Sequence, residues 1–464
     1  MSRVILVSSP LPQDKHDLDC DRTAQIIETI QVVQAGSWIG WPRVAVQRPQ
    51  AAFSFSSDDA NPRSGLGLTS AEIVAIRDGV SDRMLWPILH GRPDLVRYDA
   101  EAYGVYLAAN RRLAQALCPL LNSDDLVWVH DYLHTPFAAA LREAGFVGAL
   151  GFLLHSPFPA PDRLAPLPKH KDFISELCRY NLVGFQTQVC LRNFRDAMRR
   201  FVGANACEEG LVGPFGKVET GVFPIPNNVH AVAQMAGSPD VERGESYLRK
   251  CNKGRQLIGS WGTLDYAQGL VERLRSFELL LEHAPNWLGQ TLMVQVTTPR
   301  RQWHDESQEV RMHAEQELSR INGRFAMLDW TPIQYIHALL SPIRLAALYR
   351  AARVGLITPL SEGMSLVAKD FVAAQSPRDP GVLVFSRLAG GVEELSGALL
   401  VNPYNADCVA EALRSALEMP LEERRARWMA MMHVLRGNDM DAWCEGFLKR
   451  LTASKRTQPK VAAA

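Results

Sequence analysis

Neither sign of charge is in excess in this 464-residue chain: 50 lysines and arginines face 50 aspartates and glutamates. That balance argues against nucleic acid or an anionic membrane as the main partner, while leaving room for a local basic pocket. Eight cysteines occur without a single Cys-x-x-Cys pair, which points to reduced thiols and away from a disulfide framework or a zinc ribbon. The histidines and carboxylates are read as forming no ligand set, so no metal is expected. The first apolar run, Val4–Val7, has four residues, too short for a leader or a membrane span. The expectation is a cytoplasmic protein. Internal repeats are also missing.

What is present is the composition of a globular enzyme, with 47% apolar and 22% charged residues. The length exceeds one comfortable core, so two domains are expected. Short β-rich runs recur at Val4–Val7, Leu126–His130, Ala149–Leu154, Leu182–Phe185, Leu257–Ser260, Leu292–Val296, Val354–Thr358, Gly381–Phe385 and Ala398–Val401. Each is followed by a polar loop and a helical pattern. Runs apolar on both faces, alternating with helices, predict parallel sheets covered on both sides, the α/β class. A Pro/Asn-rich break at Phe223-Pro-Ile-Pro-Asn-Asn228 separates two such series and predicts a hinge near Pro224–Asn228. The expected division is residues 1–228 and 229–440, then a helix over 441–453 packing back and a disordered tail over 454–464.

Ligands of open α/β sheets sit outside the carboxyl ends of the strands. That rule selects Asp131 after Leu126–His130, His155 after Ala149–Leu154, Arg300 and Arg301 after Leu292–Val296, and Ser361-Glu-Gly-Met-Ser365 after Val354–Thr358. Each has a plain alternative: a helix cap for Asp131, a hydrogen-bonded core histidine for His155, a solvated pair for the arginines. The turn at Gly363 is more specific. A strand, a glycine turn and the helix that starts at Leu366 make an anion site from backbone N–H groups and the helix dipole. The corresponding loop after Leu257–Ser260 is anomalous, because Trp261 to Leu270 contains no cation.

Several stretches are recognisable together. His130-Asp-Tyr132, Gly151-Phe-Leu-Leu-His-Ser-Pro-Phe-Pro159 and Leu182-Val-Gly-Phe-Gln-Thr187 lie in the first half. Arg320-Ile-Asn-Gly-Arg324, Thr358-Pro-Leu-Ser-Glu-Gly-Met-Ser-Leu-Val-Ala-Lys369 and Val401-Asn-Pro-Tyr404 lie in the second. With nearly constant spacing from about Ser2 to Leu451, the chain resembles the trehalose-6-phosphate synthase family. The resemblance implies two Rossmann-like doubly wound domains facing a central cleft, the GT-B architecture. It implies transfer of a hexosyl group from a nucleotide sugar such as UDP-glucose to a sugar phosphate, with retained anomeric configuration, no cofactor and no side-chain nucleophile. Catalysis of that kind rests on positioning and on stabilising the diphosphate.

Residue by residue, the resemblance makes Asp131 and His155 the catalytic pair. It places Trp38, Asp131, Arg301 and Arg77 on the acceptor side. On the donor side it places Arg22, His155, Thr263, Gln268, Glu362, Gly363, Met364, Ser365, Leu366, Val367 and Asp370. Departures from the pattern concentrate on that donor side. The family's Arg-Leu-Asp-Tyr-x-Lys-Gly is Thr263-Leu-Asp-Tyr-Ala-Gln-Gly269 here, so both diphosphate cations are neutral residues. Its Ser-Asn-Arg is Ser8-Ser-Pro10, its Gly-Gly-Leu loop is Asp21-Arg-Thr23, an acceptor tyrosine aligns near Arg77, and Asp-Gly-Met-Asn is Glu362-Gly-Met-Ser365. Three readings follow: a transferase with reduced or altered donor use, a degenerate paralogue that binds sugar phosphate or an active partner, and a pseudo-glycosyltransferase or glucosylglycerol-phosphate-type enzyme. Arg22, Arg77 and Arg300 are candidates for replacement cations, and a homo-oligomer is possible.

Overall fold

The computed structural model describes residues 3–12, 22–34, 36–55, 63–208, 210–298 and 305–454. The chain divides into two compact units, Met1–Ile225 with Met440–Ala464, and Pro226–Asp439.

The first unit is built on β1 (Val4–Val7), β2 (Ser37–Gly40), β3 (Ser54–Phe55), β4 (Arg63–Gly65), β5 (Leu126–His130), β6 (Ala149–Leu153), β7 (Leu182–Phe185), β8 (Asn205–Cys207), β9 (Gly210–Gly213) and β10 (Gly216–Val222). They form one sheet in the order β3-β4-β2-β1-β5-β6-β7-β10-β9-β8. The strands from β4 to β10 across its centre run parallel, whereas β3, β9 and β8 join antiparallel at the two edges. Every residue of β5, β6 and β7 is buried, as strands covered by helices on both faces must be. The flanking helices carry local start signals. Asp99 caps Ala100–Leu117 by accepting from the N–H groups of Glu101 and Ala102, and Thr187 caps Gln188–Val202 by accepting from that of Cys190. The last helix, Met440–Ser454, belongs to this unit. Its Phe447 lies over Gly151 and Gly184, where an added Cβ would come within 2.8 Å and 3.2 Å of the ring.

The second unit holds β11 (Gln256–Thr263), β12 (Thr291–Thr298), β13 (Ile333–His337), β14 (Val354–Ile357), β15 (Val382–Ser386) and β16 (Leu399–Val401). Their order is β13-β12-β11-β14-β15-β16, all parallel. This is the doubly wound dinucleotide-fold order, with its switch point between β11 and β14. In the first unit the equivalent point lies between β1 and β5.

The structure lengthens some expected elements and adds others. β11 continues to Thr263, so Thr263 ends a strand instead of sitting in a loop. A long helix, Asp305–Phe325, precedes β13. β2, β4 and β13 went unread because their runs are short or interrupted by polar residues. Parallel pairing to a neighbour, not local pattern, makes them strands. The tail after Ser454 lies outside the described residues, and among those described no helix is long and apolar enough to cross a membrane.

Candidate active site

At the switch point of the first unit, Asp131 follows β5 with φ 65° and ψ 169°. That backbone region is essentially reserved for glycine, and a side-chain-bearing residue held there costs about 1–3 kcal/mol. The strain is maintained by the Asp131 N–H donating to the Leu153 carbonyl at 2.9 Å, which ties the loop to the end of β6. Burial pushes the Asp131 carboxyl up to about 6, against the opposing effect of the N–H groups of Tyr132, Ser156 and His155. The Ser156 hydroxyl adds a long contact of 3.4 Å. His155, after β6, is half-buried and burial lowers its ring to about 4. Its Nε2 stands 3.0 Å from Nδ1 of the buried His130. The two sequence-predicted catalytic residues are thus brought together, with a second histidine behind them.

Beside them the β1 loop is tightly occupied. Ser9 Oγ accepts from the Trp41 N–H at 2.7 Å and meets His134 Nε2 at 2.8 Å. His134 Nδ1 stands 3.0 Å from Asn110 Oδ1, which can only accept, so Nδ1 carries the proton and Ser9 donates to Nε2. His130 and His134 are four apart, a spacing suited to metal binding on a helix. Here they straddle a strand end, and His134 spends both nitrogens inside the protein. Among the described residues no group of three or more His, Cys, Asp or Glu is placed to hold a metal ion.

The other expected acceptor-side and replacement residues are placed as follows. Trp38 is 0% exposed and its indole N–H donates to the Ser8 carbonyl at 3.3 Å, so it is a core residue of β2 and not an open aromatic surface. Arg77 is half-exposed in the π-helical stretch Ala75–Leu85, 3.7 Å from Asp78. Arg22 begins the helix Arg22–Gln34, but its side chain lies outside what the structure describes. Asp21, Arg300 and Arg301 lie wholly outside the described residues.

In the second unit three loops meet at the carboxyl ends of β11, β14 and β15. The N–H groups of Leu360 and Ser361 both donate to the Ala267 carbonyl, at 2.7 and 3.2 Å. Gly390 donates to the Glu362 carbonyl at 2.9 Å, and Ser365 donates to the Gly390 carbonyl at 3.0 Å. Only glycine fits at 390, because a Cβ would lie 1.7 Å from the Gly363 carbonyl oxygen. The helix Leu366–Ala374 starts from this knot with Ser365 as its cap residue. Ser365 makes no side-chain capping bond, and its buried hydroxyl faces the Glu362 carboxyl. Leu366 and Val367 form the first turn, whose N–H groups have no intrahelical acceptor. The face can therefore hold an anion through backbone groups. Gly363 is buried and Met364 half-buried within the turn. Asp370 is turned inward, accepting from Asn227 Nδ2 at 2.6 Å.

Thr263 is exposed at the end of β11, and Gln268 is half-buried on the next loop. Near Gln268 the structure reveals a cation that sequence reading missed. Arg273 is 2% exposed, and its guanidinium donates to Ser260 Oγ and to the carbonyls of Trp261, Gln268 and Gly269 at 2.7–3.3 Å. Those four bonds commit it to holding the loop. Burial pushes the Glu362 carboxyl up to about 7, against the opposing effect of the Ser365 and Gln268 side chains and, more weakly, of the Arg273 charge. A signal for Arg273 existed: an arginine in the first turn of the helix Leu270–His283 opposes the helix dipole and needs another reason to be there. His130 offered none beyond its place before Asp131.

Comparison with known proteins gives a consistent result. The model of glycosyltransferase family 20 matches residues 9–453. The trehalose-6-phosphate synthase of Sinorhizobium fredii is 37% identical over 467 residues, covering 98% of this chain and 99% of its own. The crystal structure of an α,α-trehalose-phosphate synthase (UDP-forming) from Burkholderia vietnamiensis superposes with a TM-score of 0.93 at 41% identity, covering 98% of each chain. A Burkholderia xenovorans enzyme of the same name, solved in complex with glucose-6-phosphate, gives 0.91 at 39% identity, covering 97% of this chain and 100% of its own.

Proposed function

The chain belongs to glycosyltransferase family 20, and from that premise we propose that it transfers a hexosyl group from a nucleotide sugar to a phosphorylated sugar, with weakened grip on the donor. The observation that carries this reading is the contrast at the two switch points. The Asp131–His155 pair is intact and held by a strained backbone. The donor face keeps its glycine turn and helix N-terminus but presents Thr263 and Gln268 in place of cations.

UDP-glucose and glucose 6-phosphate are the natural pair to test, since relatives are named for forming UDP and one binds the sugar phosphate. Asp131, ionised above about pH 6, accepts from acceptor hydroxyls. The departing diphosphate meets the N–H groups before Leu366 and Val367, and Glu362 and Ser365 line the turn beside it. Asp370, on the helix that follows the turn, accepts from Asn227. Each cation missing from such a site costs ~3–4 kcal/mol of transition-state stabilisation. Two independent losses slow transfer by roughly four to six powers of ten. The helix terminus returns at most ~2 kcal/mol, and Arg273 adds field with four of its five N–H groups already spent on the loop.

The same vacancy favours a second reading, a paralogue that binds sugar phosphate without turnover. Transfer from UDP-glucose to glucose 6-phosphate, followed by NMR of the product beside the Burkholderia vietnamiensis enzyme, separates the two. Slow formation of an α,α-linked product that Thr263→Arg with Gln268→Lys accelerates supports a transferase. Sugar-phosphate binding with no product from a panel of nucleotide donors supports the paralogue, and an undiminished wild-type rate contradicts the weakened grip.

A further inference from the structure

The ring of His155 has one nitrogen engaged and one available. Nε2 lies 3.0 Å from His130 Nδ1, whereas Nδ1 of His155 has no partner among the described residues. Burial holds both rings neutral at pH 7, His130 well below its ordinary value and His155 at about 4. A single proton therefore occupies the contact between them, and its side decides what His155 shows to a ligand.

If His155 donates from Nε2, its Nδ1 is a bare acceptor, and His130 must carry its own proton on Nε2. That His130 nitrogen is buried with no partner. An orphaned buried N–H is the rarer and costlier outcome. If His130 donates from Nδ1 instead, its Nε2 is left with only a lone pair, and His155 carries its proton on Nδ1. The surroundings hold His130 in place for this task. Its ring lies 4.8 Å from that of Trp128, which stacks on Phe447 of the C-terminal helix at 4.2 Å and 8°. The two histidine rings are themselves nearly parallel, at 5.3 Å and 17°.

We propose that His130 is a positioning residue that fixes His155 as its Nδ1–H tautomer, so that His155 offers the transferred sugar a hydrogen-bond donor. This rests on the reading above only in placing His155 at the sugar. His130 itself touches no substrate; it acts through His155, as the outer carboxylate or carbonyl does behind a metal-bound or catalytic histidine.

Two measurements test it. In the wild-type protein labelled with ¹⁵N-histidine, two-bond ¹H–¹⁵N correlation spectra report each ring's tautomer, with His155 assigned by its loss in His155→Gln. The expected spectrum shows Nδ1–H for both rings; an Nε2–H signal from His155 overturns the proposal. In transfer assays, His130→Asn retains a donor close to the position of Nδ1, whereas His130→Phe keeps the ring shape without one. The Phe variant is expected to lose about tenfold or more in kcat with little change in sugar-phosphate KM, and the Asn variant to recover most of it. Equal kcat for the two variants overturns the positioning role. Should wild type transfer nothing, the functional reading fails alone, and the tautomer spectrum still decides this one.

Discussion

The two switch points of this molecule are built from the same topology and have been treated differently. In the first unit the polar groups are dense and mutually committed: Asp131 in a glycine-type backbone, His155 against His130, Ser9 against His134. In the second unit the backbone scaffold is equally tight, with Gly390 wedged against Gly363, but the Glu362 carboxyl is raised to about 7 among the neutral side chains of Ser365 and Gln268. The comparison teaches that scaffold and charge are separable. A turn held by carbonyls and glycines persists when the cations around it change, because its hydrogen bonds are backbone ones. A side-chain clamp depends on its cations, and two substitutions are enough to remove it.

The largest expected effect would break the comparison from the scaffold side. Arg273→Leu removes a charged donor from the Ser260 hydroxyl and from the carbonyls of Trp261, Gln268 and Gly269 inside the second unit, of which Gly269 keeps the helix N–H of residue 273. Bonds from a charged group are worth ~1.5–3 kcal/mol each, so a loss of several kcal/mol is expected in denaturant unfolding. A change within about 0.5 kcal/mol, the range of an ordinary surface substitution, would show that Arg273 is not what holds the donor loop.

Asp131→Asn tests the other side. The folded carboxyl titrates at about 6, above its ordinary 3.8, because burial favours the neutral form. Its contribution is therefore complete below the unfolded value and is lost as pH rises through 6, so the ionised group opposes folding at pH 7.5. The variant should melt higher than wild type at pH 7.5, with the gap closing toward pH 4. It should also bind glucose 6-phosphate about tenfold more weakly, the loss of one charge-assisted bond. A variant less stable at pH 7.5 would show that the carboxylate supports the fold and is not strained for function.

A smaller effect sharpens the donor side. Glu362 titrates near 7, and a bound diphosphate favours its neutral form. UDP affinity should fall severalfold from pH 6 to pH 8 in wild type, and Glu362→Gln should flatten that dependence in calorimetric titrations. An unchanged slope would place Glu362 away from the phosphates.

The α/β class and the strand ends bearing Asp131 and His155 were legible in the sequence, since long apolar runs followed by polar residues leave little choice of fold. Trp38, placed on the acceptor side by the family resemblance, is buried in a strand flanked by β1 and β4, a setting that no local pattern announces. His130 and Arg273 could not be read as site-builders. Their roles depend on partners brought by the fold: His155 from the next strand for one, carbonyls of the preceding loop for the other. The neutral Thr263 and Gln268 were legible only as an absence, and the structure sets Gln268 beside Glu362 and Arg273.

The proposed weakness of the donor half is attributed to two missing cations and not to a failed scaffold. Calorimetric titration of UDP into wild type and into the Thr263→Arg, Gln268→Lys double variant tests it most directly. The account predicts weak binding to wild type and a gain of at least about a hundredfold in the variant, two charge-assisted contacts at ~1.5–3 kcal/mol each. Equal affinity in the two proteins, tight or weak, would contradict it.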